Sequence, residues 1–127
     1  MVPKADEVAA LERVATSVGA VAVIALVESA LGLSRAREIA SYPGTCRLAL
    51  GSLDLSLDMG IADDSAAMAG AGYELVLASR LAGIPAPIST VTAEVGDGSA
   101  AGTAAGTAAA GLVVRASGRS CASTRRR

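Results

Sequence analysis

Residues 21–33 read VAVIALVESALGL, and the reading of Glu28 inside this stretch decides the fold. An unbroken apolar run from Val21 to Val27 stops at a carboxylate, between Gly19 on one side and Gly32 on the other. A short β-branched run with such boundaries suits a strand buried on both faces. A carboxylate at the end of that strand loses much of its hydration and needs a partner. The pattern recurs in ALGSLDLSLDMG (49–60), where an apolar strand and a small-residue turn lead to Asp54.

Outward from these strands the chain alternates. Val8, Leu11, Val14 and Val18 recur at helical spacing, which predicts a helix over 7–18 capped by Asp6 and ended by Gly19. Val21–Val27 is the first strand. Ser34 is placed to cap a short helix, SRAREIA, before Pro43-Gly44 breaks the chain. RLALGS (47–52) reads as a second buried strand, and a helix over 64–82 ends ahead of Gly83. PAPISTV (85–91) is a third strand, its prolines at the start where a strand tolerates them. Strands alternating with helices predict a parallel α/β sheet, either open and doubly wound or a segment of a (β/α)8 barrel. Periodicity alone leaves both open. The organisation expected is a barrel-like segment over 1–99 and a tail over 100–127. The tail opens with an AAGT repeat that could be an alanine-rich helix and ends in a Ser/Arg-rich stretch expected to be unstructured.

Composition narrows the function. A chain of 127 residues makes one domain, and its apolar content lies in Ala, Val and Leu, with Tyr42 and Tyr73 the only aromatic residues. A net charge of −1 gives no general nucleic-acid surface, and the terminal RRR reads as solvated. No apolar stretch reaches the roughly 18 residues of a membrane span, and residues 1–20 lack the basic start and apolar core of a signal peptide. Cys46 and Cys121 form no C-x-x-C pair, so two reduced thiols in the cytoplasm are expected. The sequence contains no histidine, which excludes Ser-His and Cys-His nucleophile pairs and histidine metal ligands within one chain. Chemistry falls to carboxylates, Arg, Lys or a metal.

Residues just past strand C-termini converge on the ligand site of parallel α/β folds. Glu28 and Asp54 both stand there, on strands that as neighbours would lie about 4.8 Å apart. Two carboxylates with water and substrate oxygens are a usual set for Mg²⁺. The plainer alternatives are that Glu28 caps the following turn or pairs with Arg35 or Arg37, and that Asp54 caps a helix over 55–60. Asp58 is a competing ligand that more naturally faces solvent.

Three ordered blocks, IALVESALGLSRAREIA, RLALGSLDLSLDMGI and ELVLASRLAGIPAPISTVTAEVGD, resemble the HpcH/HpaI aldolase/citrate lyase family over roughly residues 2–99. The nearest subgroup looks like the citrate lyase beta subunit and related CoA-ester lyases. The resemblance implies a (β/α)8 barrel, here about half of one, that cleaves or forms a carbon–carbon bond beside a carbonyl using Mg²⁺. It places the metal ligands, the Glu of V-E-[ST] and the Asp of G-S-x-D, at Glu28 and Asp54. It implies an acyl-CoA or small carboxylic acid as substrate, malyl-CoA or citryl-CoA for example, and a homo-oligomer for the full-length family. GSLDLSLDMG is also close to the G-P-x-D-L-S turn of metal-dependent pyruvate aldolases, while LVLASRLAGIPAPISTV favours the CoA-ester lyases. A third reading is a barrel fragment without catalysis.

The chain departs from the family at both ends. MVPKADEV resembles the end of the third barrel strand, so the family's substrate-binding Arg, on an earlier strand, has no counterpart. Arg35, Arg37 and Arg80 read as solvated or ion-paired on their helices, so no catalytic residue is assigned. RSCASTRRR stands where the family carries C-I-H-P-x-Q. One allowed back-translation, CGN TCC TGT GCA TCC ACC CGG CGC AGG, read two bases later gives L-C-I-H-P-A-Q. A frameshift between about Ala100 and Arg119 is therefore expected.

Overall fold

A computed structural model describes residues 1–19, 21–63 and 65–90 of the chain. Its elements are α1 (Val8–Val18), β1 (Val23–Val27), α2 (Ala30–Ser34), α3 (Ala36–Ser41), β2 (Thr45–Gly51), α4 (Ser52–Met59), α5 (Ala66–Leu81) and β3 (Ile88–Thr90). The strands form one parallel sheet in the order β1-β2-β3. On the other side of β1, Val2 makes a parallel bridge to Ala25: its N–H donates to Ile24 O at 2.8 Å, and its carbonyl accepts from Leu26 N at 2.9 Å. The predicted parallel α/β alternation is what the chain forms.

The register sorts the side chains between two faces. Ala25 stands opposite Leu48 and Val27 opposite Leu50, so these share a face. They pack with Ile39 and Ala40 of α3 and Met68, Ala71, Leu75 and Ala78 of α5 in one buried core. α5 presents this row at helical spacing, and Ser65 caps it by accepting the Met68 N–H at 3.1 Å. The opposite face carries Ile24 and Leu26, which are half-buried, and Ala49, which is buried. Only one face of β1 is fully covered among the described residues, rather than both as the apolar run predicts. The core is aliphatic and rich in alanine, with Ala5, Ala25, Ala36, Ala40, Ala71 and Ala78 all buried.

Several local expectations are corrected. Glu7, not Asp6, is the N-cap residue of α1, and it makes no side-chain cap bond. The helix expected after Ser34 is α3, whose N-cap residue is Arg35 without a side-chain cap bond, and a further short helix, α2, precedes it, capped by Ser29, which accepts from Gly32 N at 3.0 Å. Ser34 ends α2 and donates to Leu31 O. The expectation of two reduced thiols rests in part on Cys121, which lies outside the described residues. The end of the third predicted strand, the AAGT stretch, the Ser/Arg-rich tail and the proposed frameshift lie outside the described residues. No helix among the described residues is long and apolar enough to cross a membrane.

Candidate metal centre

Glu28 follows β1 by one residue and Gly51 closes β2, so both stand at the C-terminal end of the sheet. Alternation puts Glu28 on the face of Leu26, away from α3 and α5. The space above Gly51 agrees. A Cβ built there would lie 2.8 Å from Glu28 Cβ, 3.2 Å from Glu28 Oε2 and 3.4 Å from Leu26 Cδ1. Gly51 has a φ of −91°, which any residue can adopt. Its lack of a side chain therefore serves space, not backbone freedom: the Glu28 carboxylate occupies the volume a Cβ would fill.

The carboxylate is buried, with 7% of the residue exposed. Its Oε1 accepts the backbone N–H of Lys4 at 2.8 Å. The plainer pairings are not made, because Arg35 bridges to Glu7 at 3.8 Å and Arg37 to Glu74 at 3.8 Å. Sequence reasoning missed the Lys4 contact, since it joins segments that are brought together by backbone pairing, the Val2 bridge and the Ala5–Leu26 bond. Around it, Asp6 accepts from the Ser29 hydroxyl, and Ala5 N donates to Leu26 O at 3.1 Å. Gly32 fits beneath this joint, where a Cβ would come within 2.9 Å of Ala5 O.

Asp54 sits in the first turn of α4, which begins directly after β2, and is exposed. α4 starts at Ser52, so Asp54 lies inside the helix rather than ahead of it. A carboxylate there is favoured by the helix dipole. Asp58 is exposed too, yet it does not simply face solvent: its Oδ2 accepts the Ala30 N–H at 2.8 Å, tying α4 to the start of α2. Asp58 is thus engaged as a cap. Among the described residues no group of three or more Asp, Glu, Cys or His converges as a metal site. Glu28 just past β1 and Asp54 in the helix that follows β2 are oxygen donors of the kind a hard cation takes together with water.

A parallel sheet with helices between its strands defines the class, an α/β chain with the alternation from which (β/α)8 barrels are built. The chain belongs to the HpcH/HpaI aldolase/citrate lyase family, whose model matches residues 1–118. Among solved structures it is similar to RipC from Yersinia pestis, with 27% identity and a TM-score of 0.79, covering 87% of this chain and 53% of that one. It is also similar to the citrate lyase beta subunit from M. tuberculosis, solved in complex with oxaloacetate and magnesium. That match has 26% identity and a TM-score of 0.63, covering 72% of this chain and 42% of the other. The chain thus spans about half the length of the solved structures it matches. No curated protein matches it.

Proposed function

We propose that this chain carries the Mg²⁺ site of a carbon–carbon lyase acting on CoA esters such as malyl-CoA or citryl-CoA, with Glu28 and Asp54 as the protein ligands. The observation that carries the reading is the buried Glu28 carboxylate, lodged over Gly51 at the strand end with Lys4 N–H on one oxygen. The magnesium and oxaloacetate bound to the similar citrate lyase beta subunit support it. When bound, Mg²⁺ supplies Lewis acidity and a template for substrate oxygens. Glu28 contributes a carboxylate whose orientation is set before any ligand arrives, so little reorganisation is needed on binding. Asp54, on the first turn of a helix, brings a second charge from the solvent side. A soluble cytoplasmic setting goes with this reading.

The test is direct metal binding by the 127-residue chain, followed by Mn²⁺ electron paramagnetic resonance with Mg²⁺ competition. One site displaced by Mg²⁺ is expected. Glu28→Gln and Asp54→Asn should each weaken it by tenfold or more, the equivalent of about 1.4 kcal/mol. Unchanged binding in both variants would refute the assignment.

A further inference from the structure

Lys4 is the one non-glycine residue with positive φ among the described residues, at +43°. The left-handed region costs an L-residue with a long side chain roughly 1–2 kcal/mol, and such strain persists only where the surroundings over-determine it. Here they do. On one side Val2 is bridged to β1; on the other Ala5 N is bonded to Leu26 O, and Asp6 N donates to Lys4 O at 2.8 Å. Asp6 is held in turn by the Ser29 hydroxyl, and Gly32 leaves no slack below. The bend that results aims the Lys4 N–H at Glu28 Oε1 and leaves the lysine side chain exposed at the same rim.

A glycine would satisfy the backbone without strain, so the lysine side chain calls for a separate reason. Cations are otherwise engaged nearby: the ion pairs among the described residues take up Arg13, Arg35 and Arg37, and not Lys4. Arg47 lies elsewhere, donating from Nε to Ala86 O at 2.7 Å. The Lys4 backbone nitrogen is 2.8 Å from the carboxylate, and its four-carbon stem lets the ammonium reach about 6 Å from its Cα. That span covers a ligand lying on a cation held by Glu28.

We propose that Lys4 is a substrate-binding residue of this site: its strained backbone fixes Glu28, and its ammonium binds the carboxylate of a 2-oxo acid seated there. The inference rests on the metal reading above and adds the anion-binding group. A metal held by two carboxylates has little charge left to attract an anionic substrate, and a positively charged side chain at the rim restores it.

The experiment uses the whole chain with Mg²⁺ and oxaloacetate as probes, comparing Lys4→Gly, Lys4→Met and Lys4→Arg by calorimetry and thermal unfolding. Lys4→Gly should raise the unfolding midpoint by about 4 °C or more through relief of strain. It should also weaken Mg²⁺-dependent oxaloacetate binding about tenfold or more, as loss of a charged hydrogen bond does. Lys4→Met should show the same binding loss without the gain in midpoint, and Lys4→Arg should retain binding to within about threefold, both expected from loss or retention of the charge. Mn²⁺ binding should be unchanged in Lys4→Met and Lys4→Arg, which keep the Lys4 backbone as it is. Oxaloacetate binding that is absent in the unmodified chain, or indifferent to Lys4→Gly and Lys4→Met, while Mn²⁺ still binds, overturns this inference alone. A lowered midpoint in Lys4→Gly overturns the strain argument. Failure of Mn²⁺ to bind the unmodified chain overturns the metal reading, and this inference with it.

Discussion

At the scale of the residue, the site depends on what Gly51 lacks. Its φ and ψ of −91° and 81° are open to alanine, so a Gly51→Ala substitution isolates the steric effect. The new Cβ would stand 2.8 Å from Glu28 Cβ, a branch point near the backbone that cannot swing away as a flexible tip could. Overpacking of this kind costs about 1–3 kcal/mol, and urea denaturation of Gly51→Ala should show a loss in that range. Because the displaced atoms belong to Glu28, Mn²⁺ affinity should fall in the same variant. The carboxylate's importance was legible in the sequence, since a charge ending an apolar strand has to be accounted for. Its closest neighbours were not. The donor to Glu28 is a backbone N–H, which no side-chain identity announces, and it comes from a segment joined to β1 through the Val2 bridge and the Ala5 N–H bond to Leu26 O.

At the scale of the element, the strands, the longer helices and α3 followed from their patterns, while α2 did not. α5 has four turns over which Met68, Ala71, Leu75 and Ala78 can repeat, and a terminal glycine to stop it. α2 has five residues, too few for a helical period to show. Its start is chosen by contacts instead: Ser29 is held by Asp6 from another segment, and Asp58 takes the first free N–H from α4. Asp6 was read as a cap for α1 because it precedes that helix, yet the nearer demand of Ser29 takes its oxygen. The difference between the serines is measurable. Ser29→Ala removes the acceptor for Gly32 N and the donor to Asp6, and should destabilise by about 1 kcal/mol. Ser34→Ala removes only an exposed bond to Leu31 O and should stay within about 0.5 kcal/mol of the unmodified chain. Thermal or urea unfolding of the pair decides it; equal losses would mean that the Ser29 cap of α2 contributes nothing.

At the scale of the whole molecule, binding and turnover come apart. A (β/α)8 barrel places its chemistry at the C-terminal face of a ring of eight parallel strands, with catalytic groups drawn from several strand ends. The described residues supply β1, β2 and β3 with the Met1–Ala5 segment beside β1, and the chain spans about half of the solved structures it matches. On the proposed reading, Glu28 and Asp54 at two of those strand ends are the protein ligands of the cation. Carbon–carbon cleavage asks for more. The fragment that leaves as an enolate develops negative charge, and donors aimed at that charge before it forms supply much of the rate. Exclusion of water strengthens them further. Along β1 the face carrying Glu28 has Ile24 and Leu26 only half-buried, so the described residues do not enclose the site. The 127-residue polypeptide should therefore bind Mg²⁺ yet show little or no turnover of malyl-CoA or citryl-CoA, even with the metal saturating. A coupled assay for released acetyl-CoA or oxaloacetate, run beside the Mn²⁺ titration on the same preparation, measures both halves. Metal binding without product formation is the expected result. Sustained turnover that disappears in Glu28→Gln would mean that these strand ends already contain the groups that meet the enolate charge, with Lys4 the first to replace in finding them.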